Sequence, residues 1–265
     1  MAAAAIAGLM PAMAQECPGT DICAAQGKDT LKVMTYNLRF GELASMSDFA
    51  DFISSEDPDI VALQECDWAT YRERAPKQNG VRFVNELAWR TGMFGLYGKS
   101  IDYRQGYYGI GLLSKYPIIR SERIRLPDFN DDGSRRKTEP RVMLLAEIEL
   151  PSGRTVTFVC THLEVSSSEV RTIQAEFINR KMEDISPAML AGDFNATPDS
   201  PAIAEISREW TNLTNGDFTI SSTNPVKKID YIFGKSSGGM KVLSTRTCSG
   251  ITLSDHLPIV SVIEF

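Results

Sequence analysis

The stretch Ala188-Met-Leu-Ala-Gly-Asp-Phe-Asn-Ala-Thr-Pro198 places a carboxylate, Asp193, and an amide, Asn195, two residues apart at the end of an apolar run. The run reads as a buried strand, and Thr197-Pro198 as the turn that follows it. Residues i and i+2 of a strand point the same way, so the pair is expected to leave the strand together, able to hold a water and a phosphoryl oxygen. The ordinary alternative is an Asx-turn, in which the side chain caps its own backbone. Polar residues mark the ends of other apolar runs too. Asn37 ends Leu31–Asn37, Glu65 follows Asp59–Gln64, and His162 follows Thr155–Thr161. Asp230 lies in Lys228–Phe233, and Asp255 and His256 precede Leu257–Phe265. The chain has only 2 histidines, and both stand at such positions. Taken singly, these residues have plain explanations: a turn cap, a surface charge, a structural imidazole. Taken together they suit phosphoryl transfer to water. Carboxylates and an amide oxygen are hard ligands for Mg²⁺ or Mn²⁺. Such a cation polarises a phosphoryl oxygen, and imidazoles can neutralise transition-state charge or protonate a leaving group.

The elements that must position these groups follow from periodicity. Leu31–Asn37 alternates as a strand, and Asp59–Gln64 is a second. Met46, Phe49, Ala50 and Ile53 recur at helical spacing, with Ser45 and Asp48 as a capping-box start. Val81–Arg90 reads as a helix stopped by Gly92. Strands are expected near Phe94–Tyr97, Tyr108–Leu113 and Ile118–Leu126, followed by a polar loop over residues 127–139. Arg141–Leu150 and Arg154–Thr161 read as a hairpin over Pro151-Ser-Gly153. Ser167–Asp184 is the longest expected helix and Pro201–Trp210 a short one. Lys228–Phe233, Lys241–Thr247 and Leu257–Phe265 are the last strands. Strands outnumber helices, and short turns join many of them. This points to an α/β (α+β) chain with two β-sheets packed face to face and helices outside, rather than a simple βαβ array.

The 265 residues, 43% hydrophobic and 23% charged, suit a globular protein, and no apolar run is long enough to span a bilayer. A net charge of -6 does not advertise a broad basic groove for nucleic acid. It does not exclude a nuclease, because bound cations offset carboxylates locally. Residues 1–14 read as a truncated signal peptide, with Ala12-Met13-Ala14 as the cleavage site and a mature chain starting at Gln15. That implies export. Residues 15–29 read as an irregular leader before a domain over 30–265. The cysteine count of 5 argues against a full disulfide framework. Cys17 and Cys23 are close enough to pair, whereas Cys66 and Cys160 lie in apolar strand contexts as core residues.

Thr35-Tyr-Asn-Leu-Arg-Phe40, Leu63-Gln-Glu65, Tyr108-Gly-Ile-Gly-Leu-Leu-Ser114, Thr161-His-Leu163, Gly192-Asp-Phe-Asn195, Ile229-Asp-Tyr-Ile232 and Ser254-Asp-His-Leu-Pro258 resemble, in order, the motifs of the endonuclease/exonuclease/phosphatase superfamily. The resemblance runs from about Leu31 to Phe265. It implies a four-layer sandwich with the site at one edge. By the same resemblance, Glu65 is the main metal ligand, helped by Asn37, and Asp255 a second metal or water ligand. Asp193 would position or deprotonate the attacking water, and Asn195 would hold that water or the phosphate. His256 would meet the scissile phosphate, oriented by Asp230. His162 matches the pancreatic-type deoxyribonuclease branch, where it would act as general acid. Tyr108 and Arg141 match more loosely, as phosphate contacts.

The first reading is a phosphodiesterase or nuclease-like enzyme using in-line attack of an activated water, with the particular ester left open. Trp68, Tyr71, Arg72 and Arg74 could stack on bases and meet phosphates of a nucleic acid, or they could form a solvated loop. A lipid head group, an inositol phosphate or another small ester is the alternative. A silent binding module on the same fold is the remote third reading, against which the intact set of acids, amides and histidines argues. A monomer is expected.

Overall fold

Leu31 and Val33 face one way along β1 (Thr30–Asn37) and Met34 and Tyr36 the other, and all four are buried. That double burial requires layers on both sides of the strand. The computed structural model describes residues 28–128 and 138–265 and supplies those layers. After β1 come α1 (Met46–Glu56), β2 (Ile60–Trp68), α2 (Phe83–Thr91), β3 (Phe94–Tyr103), β4 (Gly106–Ser114) and β5 (Ile118–Arg125). Then follow β6 (Val142–Glu149), β7 (Thr155–His162), α3 (Ser168–Lys181), β8 (Ala188–Asp193) and α4 (Pro201–Ile206). β9 (Thr211–Asn212), β10 (Asp230–Lys235), β11 (Lys241–Thr247) and β12 (Ile259–Glu264) complete the chain.

Among the described residues the strands form two 6-stranded mixed sheets, ordered β11-β12-β1-β2-β4-β3 and β5-β6-β7-β8-β10-β9. Val33, Ile60, Ile110, Leu144, Phe158 and Met189 belong to the core between them. The outer face of the first sheet packs under α1 and α2 through Phe49, Ile53, Val84 and Leu87. The outer face of the second packs under α3 and α4 through Ala175, Ile178 and Ile203. This is the expected four-layer sandwich. Cys66 and Cys160 are free, buried core residues, as their strand contexts implied. No helix among the described residues is long and apolar enough to cross a membrane.

The centre of each sheet is a parallel pair. β1 and β2 are joined through α1, and β7 and β8 through α3. Parallel strands need such crossovers, so the C-terminal ends of both pairs lie where loops are free to carry polar groups. Asn37 ends β1, His162 ends β7 and Asp193 ends β8.

Several boundaries differ from expectation. The helix expected from Val81 starts at Phe83, because Arg82 is taken up in a bridge to Trp68. The helix expected to reach Trp210 ends at Ile206, where the cap at Ser207 folds its N–H back on Ile203 and Glu205. Strand β2 runs past Glu65 to Trp68. The leader, the cleavage site, the Cys17–Cys23 pairing and most of the polar loop lie outside the described residues.

Candidate active site

Register across the second sheet sets the first row of the site. Asp193 pairs with His162 on one side and with Asp230 on the other. Side chains at paired positions share a face, so a carboxylate, an imidazole and a second carboxylate stand in one row. The preceding glycine makes this possible. A Cβ on Gly192 would lie 2.0 Å from the Thr161 carbonyl oxygen of the neighbouring strand, so no larger residue fits without moving Asp193.

Glu65 reaches the site from the first sheet by a different device. Leu63 faces Gly111 and Cys66 faces Gly109, so β2 carries one residue too many against β4. Glu65, with φ of 56°, sits in this bulge. A bulge re-aims a side chain, and here it turns Glu65 toward Asn37. The Asn37 amide nitrogen donates to Glu65 at 3.2 Å and to Asp193 at 3.1 Å, tying the two sheets together. Its oxygen accepts the Arg39 N–H at 2.9 Å. Asn37 thus presents its nitrogen, not its oxygen, to both carboxylates, and braces Glu65 more directly than it faces a cation.

The segment before β12 brings the last groups. His256 Nδ1 lies 3.0 Å from Asp230 Oδ2, and its Nε2 lies 3.7 Å from Asp193 Oδ2. His162 Nε2 approaches the same Asp193 oxygen at 3.5 Å. Asp255 is ion-paired with Arg39, which also binds Glu42. Arg141 is buried, with Nη1 3.2 Å from Glu139 and Nε 3.9 Å from Glu164, and its Nε makes no hydrogen bond. Its charge is felt by Glu65, Tyr108 and His162. Tyr108 is buried beside Asp67 and Arg72, and burial keeps its phenol protonated.

Asn195 does not continue the strand. Its φ is 49°, and its N–H donates to Asp193 Oδ1 at 2.8 Å, so the Asx-turn is present as well as the chemical pair. Asp193 and Asn195 are brought together by this turn, not by strand alternation. Asn195 is turned by the left-handed residue, and its amide nitrogen donates to the Leu163 carbonyl at 3.0 Å.

Electrostatics separates the two histidines. Burial works against the His256 cation, but the charge and hydrogen bond of Asp230, with Asp193 and Asp255, raise its imidazole to about 10. His162 is held well below the ordinary value by burial, then by the positive charges of Arg141 and His256. Burial and then Asp230 push the Asp193 carboxyl up to about 7, against His256, the Asn195 N–H and the Asn37 amide. Burial likewise raises Glu65, against Asn37 and His256. Among the described residues no cation lies within ion-pair distance of Glu65. A desolvated carboxylate without a counter-ion is costly, and hard-cation binding would relieve it. The donor set thus fits a divalent metal held by Glu65; Asp255 is near enough for its charge to act on Glu65, and it is paired with Arg39.

Sequence reasoning gave Arg39 no role, although it stands within the Asn37 motif. Its signal was its position two residues after Asn37. Glu164 was also missed: it is buried, follows His162 by two residues and faces Arg141.

A sequence profile described as the Endonuclease/Exonuclease/phosphatase family matches residues 34–256. The uncharacterized protein YbhP of Escherichia coli is 26% identical over 255 residues, covering 89% of this chain and 96% of its own. The endonuclease/exonuclease/phosphatase of Bacteroides vulgatus superposes with a TM-score of 0.72 at 22% identity, over 90% of this chain and 100% of that one. The mannosyl-6-phosphatase of Bacteroides thetaiotaomicron superposes with a TM-score of 0.68 at 18% identity, over 89% and 100%.

Proposed function

This chain belongs to the endonuclease/exonuclease/phosphatase family, and we propose that it hydrolyses phosphate esters with Mg²⁺ or Mn²⁺ and an activated water. The observation that carries this reading is the convergence on Asp193. Asn37 meets it from the other sheet at 3.1 Å, and both imidazoles approach the same oxygen, at 3.5 and 3.7 Å. A carboxylate and two imidazoles then surround one point where a phosphoryl group can sit, with Asp230 favouring the cationic form of His256.

Asp193 takes the proton of the attacking water, and a carboxyl near neutrality suits that task. Asn195 orients the water or a phosphoryl oxygen. His256, oriented by the Asp230 carboxylate at 3.0 Å, puts positive charge against the phosphoryl oxygens as the P–O bond to the leaving alcohol breaks. His162, neutral, donates a hydrogen bond. Arg141, just before β6 of the second sheet, and Tyr108, on β4 of the first, contact the phosphate. A divalent cation at Glu65, with Asn37 bracing that ligand and Asp255 beside it, would neutralise the charge that builds on the phosphoryl and leaving oxygens.

Between the two substrate classes, a small ester is favoured over a nucleic acid strand. The groups that could track a strand are already engaged. Arg72 forks onto Asp67 at 2.6 and 2.8 Å and stacks on Phe40 and Tyr103. Arg74 forks onto Glu42 at 2.8 and 2.7 Å, and Trp68 packs on Tyr97. Only Tyr71 of that set stands exposed and unstacked.

Glu65→Gln tests the metal assignment. Calorimetric titration with Mg²⁺ should give a binding isotherm for the wild type and none for the variant, and chelator should stop hydrolysis. Full turnover in chelator would remove the metal from the reading.

A further inference from the structure

Positive charge is distributed unevenly around the site. On the flank of the first sheet, Arg39, Arg72 and Arg74 are each paired with a carboxylate. On the opposite flank a cavity of about 570 Å³ opens beside Asn195, the residue it shares with the acid–imidazole cluster. That volume is in the range of small-molecule sites. Two cations, Arg171 and Lys227, line it together with Val165, Ile220 and Val226. Neither cation has an ion-pair partner among the described residues. Arg171 comes from α3, and its Nη1 is held by the carbonyls of Glu164 and Val165, at 2.9 Å each. Its Nε is buried without a hydrogen-bond partner. Lys227 is exposed, but its backbone is fixed. It exchanges hydrogen bonds with Ile220, which in turn pairs with His256. Both cations are therefore tied to the segments that carry the catalytic groups.

We infer that this cavity receives a second anionic group of the substrate. The substrate is then a small organic phosphate that carries a further phosphate or carboxylate, with its carbon skeleton lying on Val165, Ile220 and Val226. This rests on the phosphate-ester reading, which places the reacting phosphate at Asn195 and Asp193. Arg171 feels the charges of Glu164 and Asp193 but makes no ion pair, and Lys227 makes none among the described residues, so in a partly apolar cavity both gain from an anion more than the carboxylate-paired arginines opposite. A monoanionic ester of the same skeleton leaves them without a partner.

Calorimetry with the full chain and Mg²⁺ tests this apart from turnover. Butane-1,4-bisphosphonate and hexane-1,6-bisphosphonate are compared with hexylphosphonate, since their C–P bonds resist hydrolysis. At least one bisphosphonate should bind about tenfold tighter than the monophosphonate, the value of one charge-assisted hydrogen bond. Lys227→Glu should bring that ratio to about one. Lys227 is exposed, so an unchanged melting temperature shows that the variant is folded. Equal binding of mono- and bisphosphonate by the wild type overturns the inference. So does a ratio that persists in Lys227→Glu. Separately, a wild-type protein that hydrolyses no ester would sink the phosphate-ester reading while leaving the calorimetric result to stand or fall by itself.

Discussion

Asp193→Asn is expected to fold, to bind divalent cations and to lose about 10²–10⁴-fold in kcat, the usual cost of removing a positioned base. The substitution keeps the shape and leaves an acceptor for the Asn37 amide, but an amide cannot take a proton from water. The same assignment fixes a pH dependence. The base works only when ionised, so kcat/KM rises with pH through the Asp193 pKa, which burial and Asp230 set at about 7 without metal. A nearby cation favours the carboxylate, so in the metal-loaded enzyme the rising limb lies at or below that value. The stability sign is opposite to that of a salt-bridged aspartate. The folded state holds this proton more tightly than the unfolded chain does. Asp193 therefore costs nothing below the unfolded value of about 3.9, and it destabilises progressively as pH rises to about 7. Turnover of a chromogenic phosphodiester, with circular dichroism as the fold check, measures the main effect. A variant within about threefold of the wild type would place the base elsewhere.

The two histidines should separate by chemistry. His256→Ala should lose about 10²–10³-fold on esters of good and poor leaving groups alike, because a preorganised charge against the phosphoryl oxygens serves every substrate. Membership of the pancreatic-type branch would make His162 a general acid, with losses concentrated on alkyl esters. The surroundings of His162 support a second role. Burial and the charges of Arg141 and His256 hold His162 well below the ordinary imidazole value, which favours the neutral, hydrogen-bond-donating form. His162→Ala should therefore lose about tenfold on an alkyl ester and on its nitrophenyl counterpart, the value of one hydrogen bond. Alkyl-ester losses about a hundredfold larger than nitrophenyl losses would restore the acid role.

Much of this site was legible because strand ends are where chemistry concentrates in such folds. Asn37, His162 and Asp193 each close an apolar run, and each ends a parallel strand whose carboxyl end opens at the same edge. What the sequence could not show was how residues on different elements meet. Glu65 read as the residue after a strand. It is the bulged residue inside one, and only the pairing of β2 with β4 reveals the extra residue. Asp193 and Asn195 read as strand neighbours, whereas a left-handed φ at Asn195 turns the chain between them. Similarly, β3 and β4 form a tight hairpin over Arg104 and Gln105, both with positive φ. That turn usually announces itself by Asn-Gly or Asp-Gly, so the strands were expected short. The engagement of Arg72 and Arg74 was also invisible, because their partners Asp67 and Glu42 are fixed by tertiary packing. Residue type there allowed a nucleic-acid track, whereas in the structure both arginines are paired with carboxylates.

Hydrolysis in heavy-oxygen water bears on the whole mechanism. Purified protein with Mg²⁺ or Mn²⁺ is given a nitrophenyl phosphodiester, plasmid DNA, RNA, hexose phosphates and inositol phosphates, with and without chelator. Product phosphate is then analysed by mass. The expected result is metal-dependent cleavage of at least one small ester, with the heavy oxygen in the phosphoryl product and none in the alcohol, because water attacks phosphorus in line. Turnover that survives chelator, heavy oxygen in the alcohol, or no cleavage of any ester would contradict a metal-dependent hydrolase built on Glu65 and Asp193.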